Sequence, residues 1–177
     1  MDDTKLRVLT EMIHDRGYDS VEKNNVDNEM EIYHVYKDGV LVIVIFVIEP
    51  KLCTNDIKTC VEYLDNIKVK NTIILCCNGT TPKSKSIVEG LVNTGDYYIE
   101  VFDISWFSYN RTKHRLVPKH TRLSDCDAKT IMNKYGKIPD ILISDPIARY
   151  YGYKIRDVIK VTRNDGGICY RMVSNNT

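Results

Sequence analysis

Glu49-Pro50-Lys51 has the E-x-K spacing of metal-dependent nucleases, in which a carboxylate holds Mg²⁺ and a lysine positions or activates water. Such a site needs another carboxylate, and Asp38 and Glu31 are the upstream candidates. Neither follows a proline, and Pro50 would distort the strand end between the two reacting residues, so the pattern weighs against cleavage chemistry. A thiol nucleophile would pair Cys76 with His34, yet Thr72-Ile73-Ile74-Leu75-Cys76-Cys77 reads as a buried strand rather than an open cleft. His14, His34, His114 and His120 are scattered, and the last two bracket Pro118, which favours capping or packing over a shared metal face. The six cysteines (Cys53, Cys60, Cys76, Cys77, Cys126, Cys169) form no C-x-x-C pair and no zinc-spaced quartet, and are expected to be reduced, mostly buried thiols. Neither glycine-rich phosphate loop pattern occurs. The expectation is a chain with no catalytic residues, no metal, no cofactor and no small-molecule substrate.

Two other stretches suit binding. Asn78-Gly79-Thr80-Thr81-Pro82-Lys83-Ser84-Lys85, together with Pro50-Lys51, combines small hydroxyl residues, backbone amides and lysines, which fit phosphate contacts that carry no base information. The same residues also spell a capped helix, with Thr81 as cap and Pro82 at the first helical position. The second stretch is Asp145-Pro146-Ile147-Ala148-Arg149-Tyr150-Tyr151-Gly152. Asp145 can accept the free N–H groups of a first turn, Pro146 presets its φ, and Gly152 ends it. Arg149, Tyr150 and Tyr151 crowd into that one turn, and these are side-chain types enriched at buried protein contacts.

The elements that must position these residues follow from periodicity. Leu6, Leu9 and Ile13 predict a helix that stops before Gly17. Asn24 to Asn28 reads as a polar turn, and Ile32 to Tyr36 and Val40 to Ile48 as strands joined through Lys37-Asp38-Gly39, at the centre of a sheet. Ile57, Cys60, Val61, Leu64 and Ile67 trace a helix, Thr72 to Cys77 a strand, and Ile87, Val88 and Leu91 another helix, the alternation of an α/β domain. The carboxyl ends of its strands then carry Pro50-Lys51 and the Asn78 to Lys85 loop, at the edge where ligands gather in open α/β sheets. Tyr98 to Phe102 and Trp106 to Asn110 read as further strands with a tight helical turn between. Beyond a boundary near Arg111, Ser124 with Asp125 and Asp127 caps a helix to Tyr135, and two strands flank Asn164-Asp165-Gly166-Gly167.

The net charge of +1 conceals a division: residues 1–110 carry 11 basic and 18 acidic side chains, a net −7, while residues 111–177 carry 14 and 6, a net +8. The second part needs an acidic partner, protein or nucleic acid. With 43% hydrophobic and 28% charged residues the composition is that of ordinary globular domains. The longest apolar run, Val40 to Ile48, falls far short of the roughly 20 residues of a bilayer helix. Met1-Asp2-Asp3-Thr4 is acidic and lacks a signal-peptide core, so no membrane partner is expected and Asn78-Gly79-Thr80 and Asn110-Arg111-Thr112 match the glycosylation pattern by coincidence.

Three blocks occur in order in the carboxy-terminal third: His114-Arg115-Leu116-Val117-Pro118-Lys119-His120; Ile138-Pro139 with Asp145 to Gly152; and Val158-Ile159-Lys160-Val161-Thr162-Arg163 with Tyr170-Arg171. Together they resemble the assembly domain of the fifth subunit shared by eukaryotic RNA polymerases, a family with an archaeal counterpart. The family's pattern runs H-x-L-V-P-x-H, a helix, L-P-x-I, D-P-x-A-x-Y-x-G, a strand ending in arginine, then Y-R. Thinner likenesses upstream, in His14-Asp15-Arg16-Gly17-Tyr18, Glu49-Pro50-Lys51 and Thr81-Pro82-Lys83-Ser84-Lys85, extend the resemblance over nearly the whole chain.

The resemblance implies a non-catalytic subunit of a DNA-dependent RNA polymerase. Residues 1–110 would form an α/β jaw domain with a nuclease-like fold but no nuclease activity, and residues 111–177 a small α+β assembly domain. The assembly domain would seat on the largest polymerase subunit through Asp145, Pro146, Arg149, Tyr150, Gly152, Arg163, Tyr170 and Arg171. The jaw would lie beside downstream duplex DNA, met weakly through Pro50, Lys51, Thr81, Pro82, Lys83 and Lys85. The compartment would be the nucleus for a cellular protein, and the virion or host cytoplasm for a viral one. The chain departs from the family in three places: Arg156 stands where glycine is common after D-P-x-A-x-Y-x-G, the segment from Arg163 to Tyr170 is shorter, and the part between Tyr18 and Ile32 is trimmed. Arg156 predicts a turn of other geometry or of less favourable φ. These departures point to a divergent member, from a large DNA virus or a compact eukaryotic genome. A free-standing protein that binds nucleic acid through its +8 half is the alternative, and a Mg²⁺-dependent nuclease a further one.

Overall fold

The computed structural model describes residues 1–27, 30–48 and 51–175, of which 25–27 by their backbone alone. Contacts divide the chain into two units, Met1–Tyr109 and Asn110–Thr177.

In the first unit, β2 (Met30–Lys37) and β3 (Val40–Ile48) form an antiparallel hairpin. Its two-residue turn, Asp38-Gly39, has φ of +50° and +75°, both positive as the primed hairpin turn requires. From Val44 to Ile48 every residue of β3 is buried, so this strand is covered on both faces and reads as a continuous apolar run instead of an alternation. β4 (Asn71–Cys76) and β5 (Tyr98–Asp103) add in parallel, giving the order β1-β2-β3-β4-β5. Parallel neighbours need crossovers, and these are the helices α2 (Thr54–Ile67) and α3 (Pro82–Asn93). Their Ile57, Cys60, Leu64 and Val88 pack on Val44, Phe46 and Ile48. The alternate residues of β3 point to the opposite face, the side of α1 (Asp3–Asp15), which buries Val8, Leu9, Met12 and Ile13.

Three sequence expectations change here. Asn24 to Asp27 is not simply a turn, and Asn28 lies outside the described residues: β1 (Ser20–Asp27) runs antiparallel to β2 from Ser20 opposite Tyr36, with an irregularity between Asn24 and Asp27. As the edge of the sheet it does not need the apolar alternation by which strands are recognised. Nor is Trp106 to Asn110 a strand. Ile104–Ser108 is a 3₁₀ turn capped by Asp103, whose carboxylate accepts the Ser105 N–H at 2.9 Å. Its buried residues, Ile104 and Phe107, recur at a spacing of three, and the rings of Phe102, Trp106 and Phe107 pack 5.1–5.6 Å apart. Third, all six cysteines are free, but only Cys60 and Cys76 are buried, while Cys53 and Cys126 are exposed.

The second unit is built on a four-stranded sheet in the order β6-β8-β9-β7. β6 (Lys119–Arg122), β8 (Val158–Thr162) and β9 (Ile168–Ser174) are antiparallel neighbours, and β7 (Asp140–Leu142) lies parallel to β9. β6 and β7, of four and three residues, are too short to show a period. α4 (Asp125–Tyr135) is capped by Ser124, whose hydroxyl oxygen accepts the Asp127 N–H at 3.2 Å. The short α5 (Pro146–Tyr151) supplies Ala148 to a core with Tyr153, Ile159, Val161 and Val173.

Candidate functional site

α5 is set up by local chemistry. Asp145 Oδ1 accepts the Ile147 N–H at 2.8 Å and the Ala148 N–H at 3.4 Å, and Pro146 occupies the first turn. The other end closes with Gly152 at φ +63°. The Gly152 N–H donates to Arg149 O at 3.2 Å and the Tyr153 N–H to Ala148 O at 3.0 Å, the paired bonds of a left-handed helix stop. Six residues would not hold as a helix alone. Ile147, Ala148 and Tyr150 are therefore turned inward, and Arg149 and Tyr151 remain half-buried.

Tyr150 is fully buried, so it organises this surface instead of offering a ring to a partner. Its hydroxyl accepts from Asn110 Nδ2 at 2.9 Å, while Asn110 Oδ1 accepts the Thr112 N–H at 2.9 Å and the Thr112 hydroxyl at 2.6 Å. Asn110 and Thr112 thus tie the start of the unit to α5, a role that the sequence signals only as a glycosylation-like triplet. Around it the Tyr150 and Tyr151 rings meet edge to face at 5.1 Å, and Tyr151 stacks on Tyr153 at 5.3 Å. Burial raises the Tyr153 phenol well above its ordinary range.

The remaining residues of this set part between the two faces of the sheet and its end. Adjacent strand residues point to opposite faces. Arg171 lies on the Ile159 and Val173 side, which carries α5, with Nη1 donating to Asp140 O at 3.3 Å. Tyr170 points the other way, its ring 5.8 Å from that of Tyr135. Arg163 is exposed on the turn between β8 and β9, where its N–H donates to Gly167 O at 2.8 Å. Nearby, a cleft of about 240 Å³ has Val117, Pro118 and His120 opposite Ile147 and Tyr151. His120 Nδ1 donates to Pro118 O at 2.8 Å, and His114 Nδ1 accepts the Leu116 N–H at 3.3 Å, so both histidines serve local turns. Arg156 has φ +73°, the less favourable backbone expected of a side chain in a glycine position, and its N–H donates to Val173 O at 2.8 Å.

In the first unit, Glu49 and Pro50 lie outside the described residues. Thr81 caps α3 by accepting the Ser84 N–H at 3.1 Å, and the fully buried Ser84 hydroxyl donates to Leu52 O at 3.1 Å. With the Leu52 to Thr80 bridge, this joins the segment after β3 to the loop after β4. Asn78 and Gly79, at φ +60° and +74°, turn that loop back. Lys51, Pro82, Lys83 and Lys85 are all exposed at the same sheet edge, and Thr81 is half-buried in its capping role. Lys85 stands 3.9 Å from Glu89 in an exposed pair of small energetic weight.

The nuclease reading gains nothing from this arrangement. Asp38 sits at the opposite end of β3 from Lys51, about 27 Å along an extended strand of that length. Glu31, opposite Val47, is at the right end. Its carboxylate is already held by Lys23 Nζ at 2.9 Å, the Tyr33 hydroxyl at 3.0 Å and the amino group of Met1 at 3.0 Å. Burial opposes its charge, but these donors outweigh burial and bring the carboxyl down to about 2. Cys76 and His34 are also apart: His34 is level with Val44 and Thr72, four positions from Cys76, or about 13 Å. His34 Nε2 instead meets the Tyr63 hydroxyl at 2.9 Å, and burial lowers its pKa. Among the described residues no three His, Cys, Asp or Glu side chains gather as a metal site, and no helix is long and apolar enough to cross a membrane.

Residues 109–173 match the family described as RNA polymerase Rpb5, C-terminal domain. The chain is similar to DNA-directed RNA polymerases I, II, and III subunit rpabc1 of Dictyostelium discoideum, 29% identical over 76% of this chain and 71% of that protein. It is similar to a putative DNA-directed RNA polymerase subunit, 454R, of Invertebrate iridescent virus 6, 32% identical over 64% of this chain and 66% of the viral one. The corresponding polymerase subunit of Caenorhabditis elegans is 26% identical, over 89% of this chain and 86% of the relative.

Proposed function

The chain belongs to the family of the fifth subunit of DNA-directed RNA polymerases, and on that premise we propose how its two units divide the work. It is a non-catalytic subunit of a DNA-dependent RNA polymerase, active in transcription as part of a multi-subunit complex. The Asn110–Thr177 unit is the assembly domain and seats on the largest subunit; the observation that carries this reading is α5, a six-residue helix capped at both ends that holds Arg149 half-exposed above a buried Tyr150. Asp145, Pro146, Tyr150 and Gly152 build that surface, Arg149 and Arg163 meet the partner, and Arg171 extends it along the sheet. Arg149→Ala is expected to weaken assembly by about 2 kcal/mol, the scale of a buried arginine anchor.

The Met1–Tyr109 unit is the jaw, with Lys51, Pro82, Lys83 and Lys85 towards downstream DNA and Thr81 holding their helix in place. Exposed lysines on a unit of net −7 give contact without strong independent affinity, so the isolated chain is expected to bind duplex DNA weakly, with a shallow dependence on salt. The setting is nuclear for a cellular polymerase, and the virion or host cytoplasm for a viral one; the relatives include both kinds.

Affinity purification of the tagged chain from its native source in high salt, followed by mass spectrometry, tests the whole reading. Near-stoichiometric recovery of the largest polymerase subunit is the expected result. Recovery of the chain alone, or with nucleic acid that salt removes, would overturn it in favour of a free-standing nucleic-acid-binding protein.

A further inference from the structure

The sheet of the second unit has two faces, and they are finished differently. One carries Ile159, Val161 and Val173 beneath Ala148 of α5. By alternation the other carries the buried Val158 and half-buried Met172 at one end and presents Lys160, Thr162, Ile168 and Tyr170 along the rest. These are joined from β6 by Lys119 and Thr121 and from β7 by the exposed Asp140. α4 reaches this second face through Tyr135, whose ring stands 5.8 Å from that of Tyr170. Yet α4 buries none of its 11 residues. Its Ala128, Ile131, Met132 and Tyr135 recur at helical spacing, the stripe by which a helix ordinarily joins a core. Here Met132 and Tyr135 remain 41% and 54% exposed, and Ile168 on the sheet 53%. Exposed apolar side chains shared between a helix stripe and a neighbouring sheet face are the mark of an interaction surface.

Charge describes what covers it. The lysines around the strip are Lys119, Lys129, Lys134 and Lys137, all exposed, and the half-buried Lys160. The carboxylates of α4, Asp125 and Asp127, are confined to its first turn, and Asp127 accepts the Ser124 hydroxyl at 2.7 Å. We propose that Met132, Tyr135, Ile168 and Tyr170 form a second docking surface, on the opposite side of the sheet from α5. Its occupant is an acidic segment of another polymerase subunit, with apolar residues against the strip and carboxylates towards the lysines. A protein segment fits better than single-stranded nucleic acid. Lys134 Nζ already lies 5.1 Å from the centre of the Tyr135 ring, and Tyr135 packs against Tyr170, so the ring faces needed for base stacking are engaged. Ile168 and Met132 add aliphatic surface that suits apolar side chains.

This surface rests on the polymerase reading, and its test separates the two. Full-length chains carrying Ile168→p-benzoylphenylalanine, and Val40→p-benzoylphenylalanine as an exposed control on the first unit's hairpin, are incorporated into polymerase in the native source, purified and irradiated. The expected result is an adduct from position 168 to an acidic segment of another subunit, with none to that segment from position 40. Ile168→Asp and Lys134→Glu, both at exposed positions that leave the core intact, are expected to lower recovery of polymerase in high salt about ten-fold without changing thermal unfolding of the free chain. Normal incorporation with no adduct at position 168, or an adduct to nucleic acid, to a second copy of the chain or to a segment without excess acid, overturns the docking surface and leaves the polymerase reading standing. Failure of the unmodified chain to enter polymerase overturns both.

Discussion

The two units solve the problem of a sheet in opposite ways. The first covers β3 from both sides, with α2 and α3 on one face and α1 on the other, and the strand is buried throughout its second half. The second covers one face of its sheet with six residues of α5 and meets the other with a helix that buries nothing. The first is acidic, the second basic. The second unit leaves an apolar stripe and several lysines outward, whereas the first encloses its central strand and exposes Lys51, Lys83 and Lys85 at one sheet edge.

The comparison breaks most easily at Tyr150. Tyr150→Ala removes the largest fully buried side chain of the second unit and is expected to cost about 3–5 kcal/mol, seen as loss of near-ultraviolet dichroism from that unit. Retention of a native melting profile would show that α5 is not the core element described here. In the first unit, Ser84→Ala leaves Leu52 O without its donor and is expected to cost about 1–3 kcal/mol in denaturant unfolding. Arg156→Gly acts in the other direction: relief of φ +73° should stabilise the chain by about 1 kcal/mol, and a lower melting temperature would mean that the arginine side chain holds the turn. The smallest effect concerns acid. Glu31, held at about 2 when folded against an ordinary 4.5, adds stability above the ordinary value, and that contribution is lost as pH falls towards 2. Because the pair is partly exposed the gain is at most about 1 kcal/mol, so Glu31→Gln should lower stability by up to that amount at neutral pH, flatten the acid limb of the profile and converge with the unmodified chain as pH falls towards 2.

Much of the first unit was legible because its signals are local or strongly periodic. Asp38-Gly39 between apolar runs specifies a hairpin turn, and the uninterrupted β3 run specifies a central strand. β1 was not legible, since Ser20–Asp27 is polar and is a strand only by pairing with β2. Trp106 to Asn110 misled because aromatic residues suggest strand, whereas Ile104 and Phe107 close a 3₁₀ turn on the core. In the second unit the caps Ser124, Asp145 and Gly152 were readable, each acting within a few residues of itself. The partner of Tyr150 was not, because Asn110 lies 40 residues away and only folding brings its amide to the hydroxyl.

The sequence by itself determined the hairpin, the crossover helices, the capped turn at Asp145 and the opposed charges of the two halves, because turn geometry, periodicity and charge are properties of neighbouring residues or of their sum. Only the tertiary structure decided that Tyr150 points inward, that Tyr170 and Arg171 part to opposite faces, and that α4 keeps its apolar stripe outside. Which face of a strand or helix becomes the inside depends on which other elements arrive to cover it, and that is settled by long-range packing that local sequence cannot carry.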